Sequence, residues 1–220
     1  MVIVGLTGSI GMGKSTAAKM LREMGVPVYD ADAAVHEVQA PGGVALPGIE
    51  AAFPGVVKGG VLDRQALGAR VFGNKEALRR LEAIVHPLVF RKQRAFLRRA
   101  ALAGEKLVVL DIPLLFEGMG ERRVDATLVV SAPAFLQRRR VMARPGMTAE
   151  KLDGILRQQV PDALKRRKAS IVIPTGMGLA PTRAALVRAV AELRALPGCF
   201  WPPNPWREKF TAQLARARRR

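Results

Sequence analysis

The sequence predicts an α/β fold, a parallel sheet of five strands with helices between them. Three observations predict it. Five short runs are nearly continuous in Val, Ile and Leu, as expected of parallel strands covered on both faces. Segments of helical period separate those runs. A glycine-rich loop joins the first run to the first helix.

The first strand is "VIVGLT", Val2 to Thr7. The first helix spans about Ser15 to Met24, with Ala17, Ala18, Met20, Leu21 and Met24 as its apolar face and Gly25 as its stop. "VPVYD", Val26 to Asp30, is the second strand. Residues 31–105 contain no comparable strand and form a helical insertion. It holds "LDRQALGARVF" and the longer "NKEALRRLEAIVHPLVFRKQRAFLRRAALAG". Asp63 and Asn74 are candidate N-caps, and Pro87 is expected to break or kink the longer segment. "KLVVLD" (Lys106 to Asp111) and "ATLVVS" (Ala126 to Ser131) give the third and fourth strands. The stretch from Phe135 to Lys168 reads as two helices broken at "RPGM", with Thr148 as a cap, before the fifth strand "SIVIP", Ser170 to Pro174. The expected domains are a core of residues 1–30 and 105–200 with a lid near 135–168, a helical domain of residues 31–104, and a loosely held tail of residues 201–220.

The charge is +18 and unevenly placed. From Phe135 to Lys168, ten Lys/Arg against Glu150, Asp153 and Asp162 leave +7. From Trp201 to Arg220, six Lys/Arg against Glu208 leave +5. A concentrated positive field suits a polyanion: a nucleotide, a nucleic acid or an anionic surface. Cys199 is the single cysteine, which excludes an intramolecular disulfide and a cysteine-built zinc cluster. No run of about 18 uncharged apolar residues occurs, so no membrane-spanning helix is expected. "MVIVGLTG" lacks a basic leader. A cytoplasmic setting is expected.

The loop carries the chemistry. Gly8-Ser-Ile-Gly-Met-Gly13-Lys14-Ser15 satisfies G-x-x-x-x-G-K-[ST], after a strand and before a helix as that motif requires. Glycines let successive amides turn inward around an anion, and the helix N-terminus adds unpaired donors and a positive dipole end. Lys14 reaches the β- and γ-phosphates, and the Ser15 hydroxyl can join a Mg²⁺ shell. The spacing of Gly8, Gly11 and Gly13 does not meet the dinucleotide fingerprint G-x-G-x-x-G. A nucleoside triphosphate is the predicted ligand.

Such loops serve ATPases, GTPases and small-molecule kinases. Asp30 and Asp32 lie at the carboxyl end of the second strand, where ligands sit in open α/β sheets. One could take the proton of an attacking hydroxyl, or both could cap the next helix. Their side chains are expected to point to opposite faces, so that only one of the two faces the site. Asp111 ends the third strand, with Glu117 six residues on; it could hold Mg²⁺ through water or simply make a turn. No N-K-x-D for guanine is present. "QRRRVMAR" places Arg140 and Arg144 at i, i+4 on one helical face, closing over a transferring phosphate or lying as a solvated face.

Together these residues resemble the dephospho-coenzyme A kinase family of P-loop kinases. "GLTGSIGMGKST", the "DAD" of Asp30 to Asp32, "LDR" with "VF" (Leu62 to Phe72), "LEAIVHP" (Leu81 to Pro87), "DIPLLFE" (Asp111 to Glu117) and the Q-x-x-R-x-x-x-R of Gln137 to Arg144 follow in that family's order, up to about Gly178. Gln159 falls where the family has a glutamine. The resemblance implies a P-loop kinase-like three-layer fold with an inserted helical substrate domain and a helical lid. It implies ATP-dependent phosphorylation of the ribose 3′-hydroxyl of dephospho-CoA, with Mg²⁺ as cofactor. It assigns Asp32 as general base, Lys14 and Arg140 as catalytic cations, and Gly8 with Gly11, Met12, Gly13, Lys14, Ser15, Thr16 and Arg144 to ATP. Asp32, Arg64, His86 and Asp111 fall to the acceptor, and Ser15 to the metal; His86 reads equally as a structural histidine before a proline.

Ser9 and Met12 replace that family's frequent Gly and Ser at positions expected to act through the backbone. Ser170 and Thr175 stand where it has Asp and an Asn near the adenine. The expected partners are ATP and dephospho-CoA, with no specific nucleic acid and no membrane, in a monomer or weak homo-oligomer. Residue chemistry alone leaves two alternatives: a kinase for another nucleotide or small alcohol, and a basic nucleic-acid-binding ATPase using Trp201, Trp206 and Phe210 to stack bases.

Overall fold

The computed structural model describes residues 1–202. It contains a five-stranded sheet in the order β2-β5-β1-β6-β7, formed by β1 (Val2–Thr7), β2 (Val28–Asp30), β5 (Leu107–Asp111), β6 (Ala126–Ser131) and β7 (Ile171–Pro174). β1 pairs in parallel with β5 and with β6, and β6 with β7. This is the predicted α/β class, the five strands lying within the five predicted runs. Alternate residues of β1 explain the layering. Val2, Val4 and Leu6 join one core with Leu21 of α1 (Lys14–Glu23) and Leu186 of α9 (Leu179–Arg194), while Ile3 is equally buried on the other face. A strand buried on both sides needs apolar residues at every position.

The chain divides into two compact units: Met1–Val28 with the chain from Ala103 onward, and Tyr29–Leu102. The second unit holds α2 (Ala31–Val38), α3 (Leu46–Ala52), α4 (Arg64–Val71) and α5 (Lys75–Leu102) around a core that includes Val38, Ile49, Phe53, Leu67 and Val85. It also holds two strands the sequence did not suggest, β3 (Val57–Lys58) and β4 (Val61–Leu62), antiparallel across Gly59 and Gly60. Both glycines have positive φ, 57° and 76°, as a two-residue hairpin turn demands.

The expected caps form. Asp63 accepts from the Ala66 amide at 2.9 Å, Asn74 from Ala77 at 3.0 Å and Thr148 from Lys151 at 3.3 Å. Pro87 does not break its helix. α5 runs unbroken through it, because α2, α3 and α4 all pack along α5 and that packing outweighs one lost backbone hydrogen bond. The Phe135–Lys168 stretch forms three helices rather than two: α6 (Ala134–Met142), α7 (Ala149–Gln158) and α8 (Asp162–Lys168). The extra break follows from Pro161, which disfavours helical geometry at Val160.

Among the described residues no helix is long and apolar enough to cross a membrane. Trp206, Phe210 and the rest of the basic tail beyond Pro202 lie outside the described residues.

Candidate active site

In the first unit, β1 delivers the chain into a loop that enters α1 at Lys14. Gly11 and Gly13 hold φ of 76° and 90°, a region that residues with a Cβ rarely occupy. Three consecutive carbonyls of this loop are turned into the protein. Gln137 Nε2 donates to Ile10 O at 2.8 Å, Arg140 Nη1 to Gly11 O at 3.4 Å and Thr175 Oγ1 to Met12 O at 2.7 Å. In a trans peptide the N–H points opposite its carbonyl, so holding these oxygens fixes the amides that follow them. The N-terminus of α1 has no side-chain cap and no acidic residue in its first turn. Its leading amides therefore have no partner within the helix.

Met12 does more than its backbone. Its side chain is 2 % exposed, and its Sδ accepts from the Ala132 amide at 3.1 Å. Beside the backbone role expected of it, Met12 packs its side chain into the core shared with β6 and α9. Thr175 likewise acts on the loop, whereas Ser170 ties β7 to β6, its N donating to Thr127 Oγ1 and its Oγ accepting from Thr127 N, both at 3.0 Å.

Lys14 and Asp111 form a close pair, Nζ to Oδ1 2.6 Å, with Asp111 buried. β5 lies beside β1, with Asp111 opposite Leu6, so the carboxylate ends its strand next to the phosphate loop. Ser15 and Thr16 are exposed. An exposed hydroxyl beside a lysine that is itself held by a carboxylate is an oxygen-donor setting that suits Mg²⁺ retaining water and phosphate ligands.

Arg140 also donates to Thr175 O at 2.8 Å. Arg144, expected on the same helical face, lies beyond the end of α6 and is exposed. The helix stops at Met142 ahead of the Arg144-Pro145-Gly146 turn, so the i, i+4 relation is lost. Gln137 is buried, and Gln159 Oε1 accepts from the Ile10 amide at 3.1 Å. Glu117 Oε1 accepts from the Val160 amide at 2.8 Å and lies 2.9 Å from Nζ of Lys165, a lysine with no solvent exposure. Burial pushes the Glu117 carboxyl up, but the Lys165 and Val160 hydrogen bonds outweigh it and hold the group below its ordinary value. Lys165 was legible only as one more charge in a basic run; its burial removes it from the surface field.

The second unit holds the other candidates. Asp30 caps α2, accepting from the Ala33 amide at 2.9 Å. Asp32 is exposed in the first turn of that helix, not in a strand, so the strand-based argument about which way the two aspartates face does not apply. Arg64 Nη1 lies 2.9 Å from His36 Nδ1. A guanidinium only donates, so that nitrogen is the acceptor. His36 follows Asp32 by four residues, one helical turn on the same face, and its signal in "DADAAVHEV" was passed over. His86 is exposed on α5. Tyr29, 8 % exposed, donates to Val89 O at 3.0 Å. Its phenol is pushed up to about 12 by burial, with Glu37 and Asp30 adding to it.

In the first unit the structure thus brings Gly11, Met12, Lys14, Asp111 and Arg140 together and sets Arg144 just past the end of α6. In the second it joins Arg64 to the helix that carries Asp32. Sequence reasoning missed His36 and Lys165.

The model of the dephospho-CoA kinase family matches residues 2–180. A dephospho-CoA kinase of Mesorhizobium japonicum is 59% identical over 198 residues, covering 90% of this chain and 100% of that one. A solved structure from Thermus thermophilus superposes with a TM-score of 0.77 at 40% identity, covering 87% of this chain and 96% of that one. The dephospho-CoA kinase of Campylobacter jejuni superposes with a TM-score of 0.59 at 26% identity, over the same shares. By family match, relatives and fold alike, the chain belongs to the dephospho-CoA kinase family.

Proposed function

We propose that this chain transfers the γ-phosphoryl group of ATP to the ribose 3′-hydroxyl of dephospho-CoA, giving CoA and ADP, the final step of coenzyme A synthesis. The observation that carries this reading is the phosphate loop. The carbonyls of Ile10, Gly11 and Met12 are held in the protein and the uncapped start of α1 is left to bind an anion.

The amides from Gly8 to Thr16 bind the triphosphate, and Lys14 holds its β- and γ-oxygens. Asp111 positions Lys14 through their 2.6 Å contact. Asp32 accepts the proton of the 3′-hydroxyl as that oxygen bonds to the γ-phosphorus. The bond between the γ-phosphorus and the bridging oxygen breaks, and ADP leaves with that electron pair. Arg140, half-buried beside the loop, stabilises the charge on the transferring group. Arg144, Arg64 and His86 bind the phosphates and the acceptor. The Ser15 hydroxyl would hold Mg²⁺ together with the phosphates, and the ion would supply charge neutralisation to the triphosphate. A cytoplasmic monomer or weak homo-oligomer, acting without specific nucleic acid or membrane, completes the proposal; the exposed free thiol of Cys199 suits a reducing compartment.

The test is ADP release with Mg²⁺ across an acceptor panel of dephospho-CoA, adenosine, AMP, shikimate, single-stranded DNA and no acceptor. Turnover confined to dephospho-CoA is expected. Equal ADP release without any acceptor would sink the proposal.

A further inference from the structure

We infer that Glu117 is a positioning residue for the phosphate loop, acting on the Ile10 amide through Val160 and Gln159. The inference rests on the loop's assignment to ATP.

Ile10 is gripped on both sides of its backbone by residues more than a hundred positions away. Its carbonyl accepts from Gln137 Nε2 at 2.8 Å, and its amide donates to Gln159 Oε1 at 3.1 Å. The next residue, Gly11, has φ 76° and no Cβ to limit its rotation. A turn of the Ile10–Gly11 peptide would aim a carbonyl where a phosphate must sit. Gln137 stands on a regular turn of α6 and is buried. Gln159 stands past the last turn of its helix, tied back by its amide to Leu156 O at 3.2 Å. It is the C-cap of α7, with extended geometry (φ −99°, ψ 145°), in the short link to α8.

Glu117 holds the link from its other side. Its Oε1 accepts from the amide of Val160, the residue after Gln159, at 2.8 Å. The same oxygen lies 2.9 Å from Nζ of Lys165 on α8, so one carboxylate oxygen holds both the link and the helix that follows it. The other oxygen, Oε2, is buried without a hydrogen-bond partner among the described residues. A largely buried carboxylate needs such partners, and one of those it has is the backbone of the link that carries Gln159. The path from Glu117 runs through the Val160 amide and the Gln159 side chain to the loop.

The experiment is a double-mutant cycle read by direct ATP binding. Gln159→Leu removes the acceptor for Ile10 and is expected to weaken ATP about tenfold, the effect of one lost hydrogen bond, with the KM for dephospho-CoA unchanged. Gln159→Glu keeps an acceptor and should restore ATP affinity. Glu117→Leu removes the acceptor for the Val160 amide and should weaken ATP comparably, and the pair E117L/Q159L should bind no more weakly than the weaker single variant. Losses that multiply would overturn the inference, since Glu117 would then not act through Gln159. Should E117L fail to fold, Val160→Pro takes its place in the cycle. It deletes the donor, and the geometry of Gln159 is one that a following proline accepts. A wild-type chain that binds no ATP would sink the functional proposal; variants that all bind like the wild type would sink only the role of Glu117.

Discussion

Lys14 Nζ lies 2.6 Å from Asp111 Oδ1, with the carboxylate buried at the end of its strand. The lysine of the phosphate loop is therefore already aimed before any nucleotide arrives, at a cost in desolvation that close pairing offsets. Replacing Lys14 by Met removes the positive partner of a buried carboxylate and is expected to lower stability by about 3 kcal/mol. Adding Asp111→Asn to that variant should recover part of the loss without restoring ADP release. Thermal unfolding of the two singles and the double measures the coupling; purely additive changes would show that the pair is not energetically linked.

Asp32 carries the proposed base. Asp32→Asn preserves size and removes the proton acceptor, so turnover should fall by about 10²–10⁴-fold. Calorimetric titration should find ATP bound as before. Wild-type turnover in this variant would take the base role from Asp32.

Thr175 is buried and donates to Met12 O at 2.7 Å, with Ser131 O also within reach at 3.2 Å. Thr175→Val keeps the shape but takes the donor from Met12 O, while Ser131 O keeps the backbone amide of residue 175 at 2.8 Å. A loss of about 1–2 kcal/mol is expected in denaturant unfolding, with weaker ATP binding. Thr175→Ser should recover both. If valine and serine behave alike, the hydroxyl does not hold the loop.

Tyr29 is the chain's only tyrosine, so phenolate absorbance reports it alone. Its folded value is raised from 10.0 to about 12, first by burial and then by the charges of Glu37 and Asp30. The folded chain therefore keeps a proton that the unfolded chain loses between these values. The stabilisation is fully present below pH 10.0 and is lost as pH rises through about 12. Titration should place the native midpoint well above that of the denatured chain, and Tyr29→Phe should abolish the signal. Coincident midpoints would contradict the burial of this phenol.

Glu117 shifts the other way. Its carboxyl is held below its ordinary 4.5, so its stabilisation is present above pH 4.5 and fades as pH falls below it. Acid unfolding of the wild type should be steeper there than that of Glu117→Gln.

Much of this was legible along the chain. The five strands announce themselves as apolar runs, and Gly8 to Ser15 as a phosphate loop. Gly25 stops its helix through a φ of 74°, and Asp63, Asn74 and Thr148 start theirs with side-chain acceptors, because each acts on backbone groups within a few residues of itself. The misses arose where two local rules compete. Pro87 met a helix packed along its length and lost; Pro161 met none strong enough and broke the run.

The sequence by itself determined the layered fold, the triphosphate loop and the ordered motifs that mark the family, since these rest on periodicity and on spacing between neighbours. Only the tertiary structure decided which side chains hold the loop in shape. Lys14 meets Asp111 across 97 positions and Ile10 meets Gln159 across 149, contacts made by the order in which strands pair and helices stack upon them. Lys165 shows the same thing: as a letter it is one cation among ten in its stretch, and only burial against Glu117 turns it into a structural counter-ion. The physical reason is that burial and ion pairing depend on what lies across the fold, which the pattern of near neighbours does not encode.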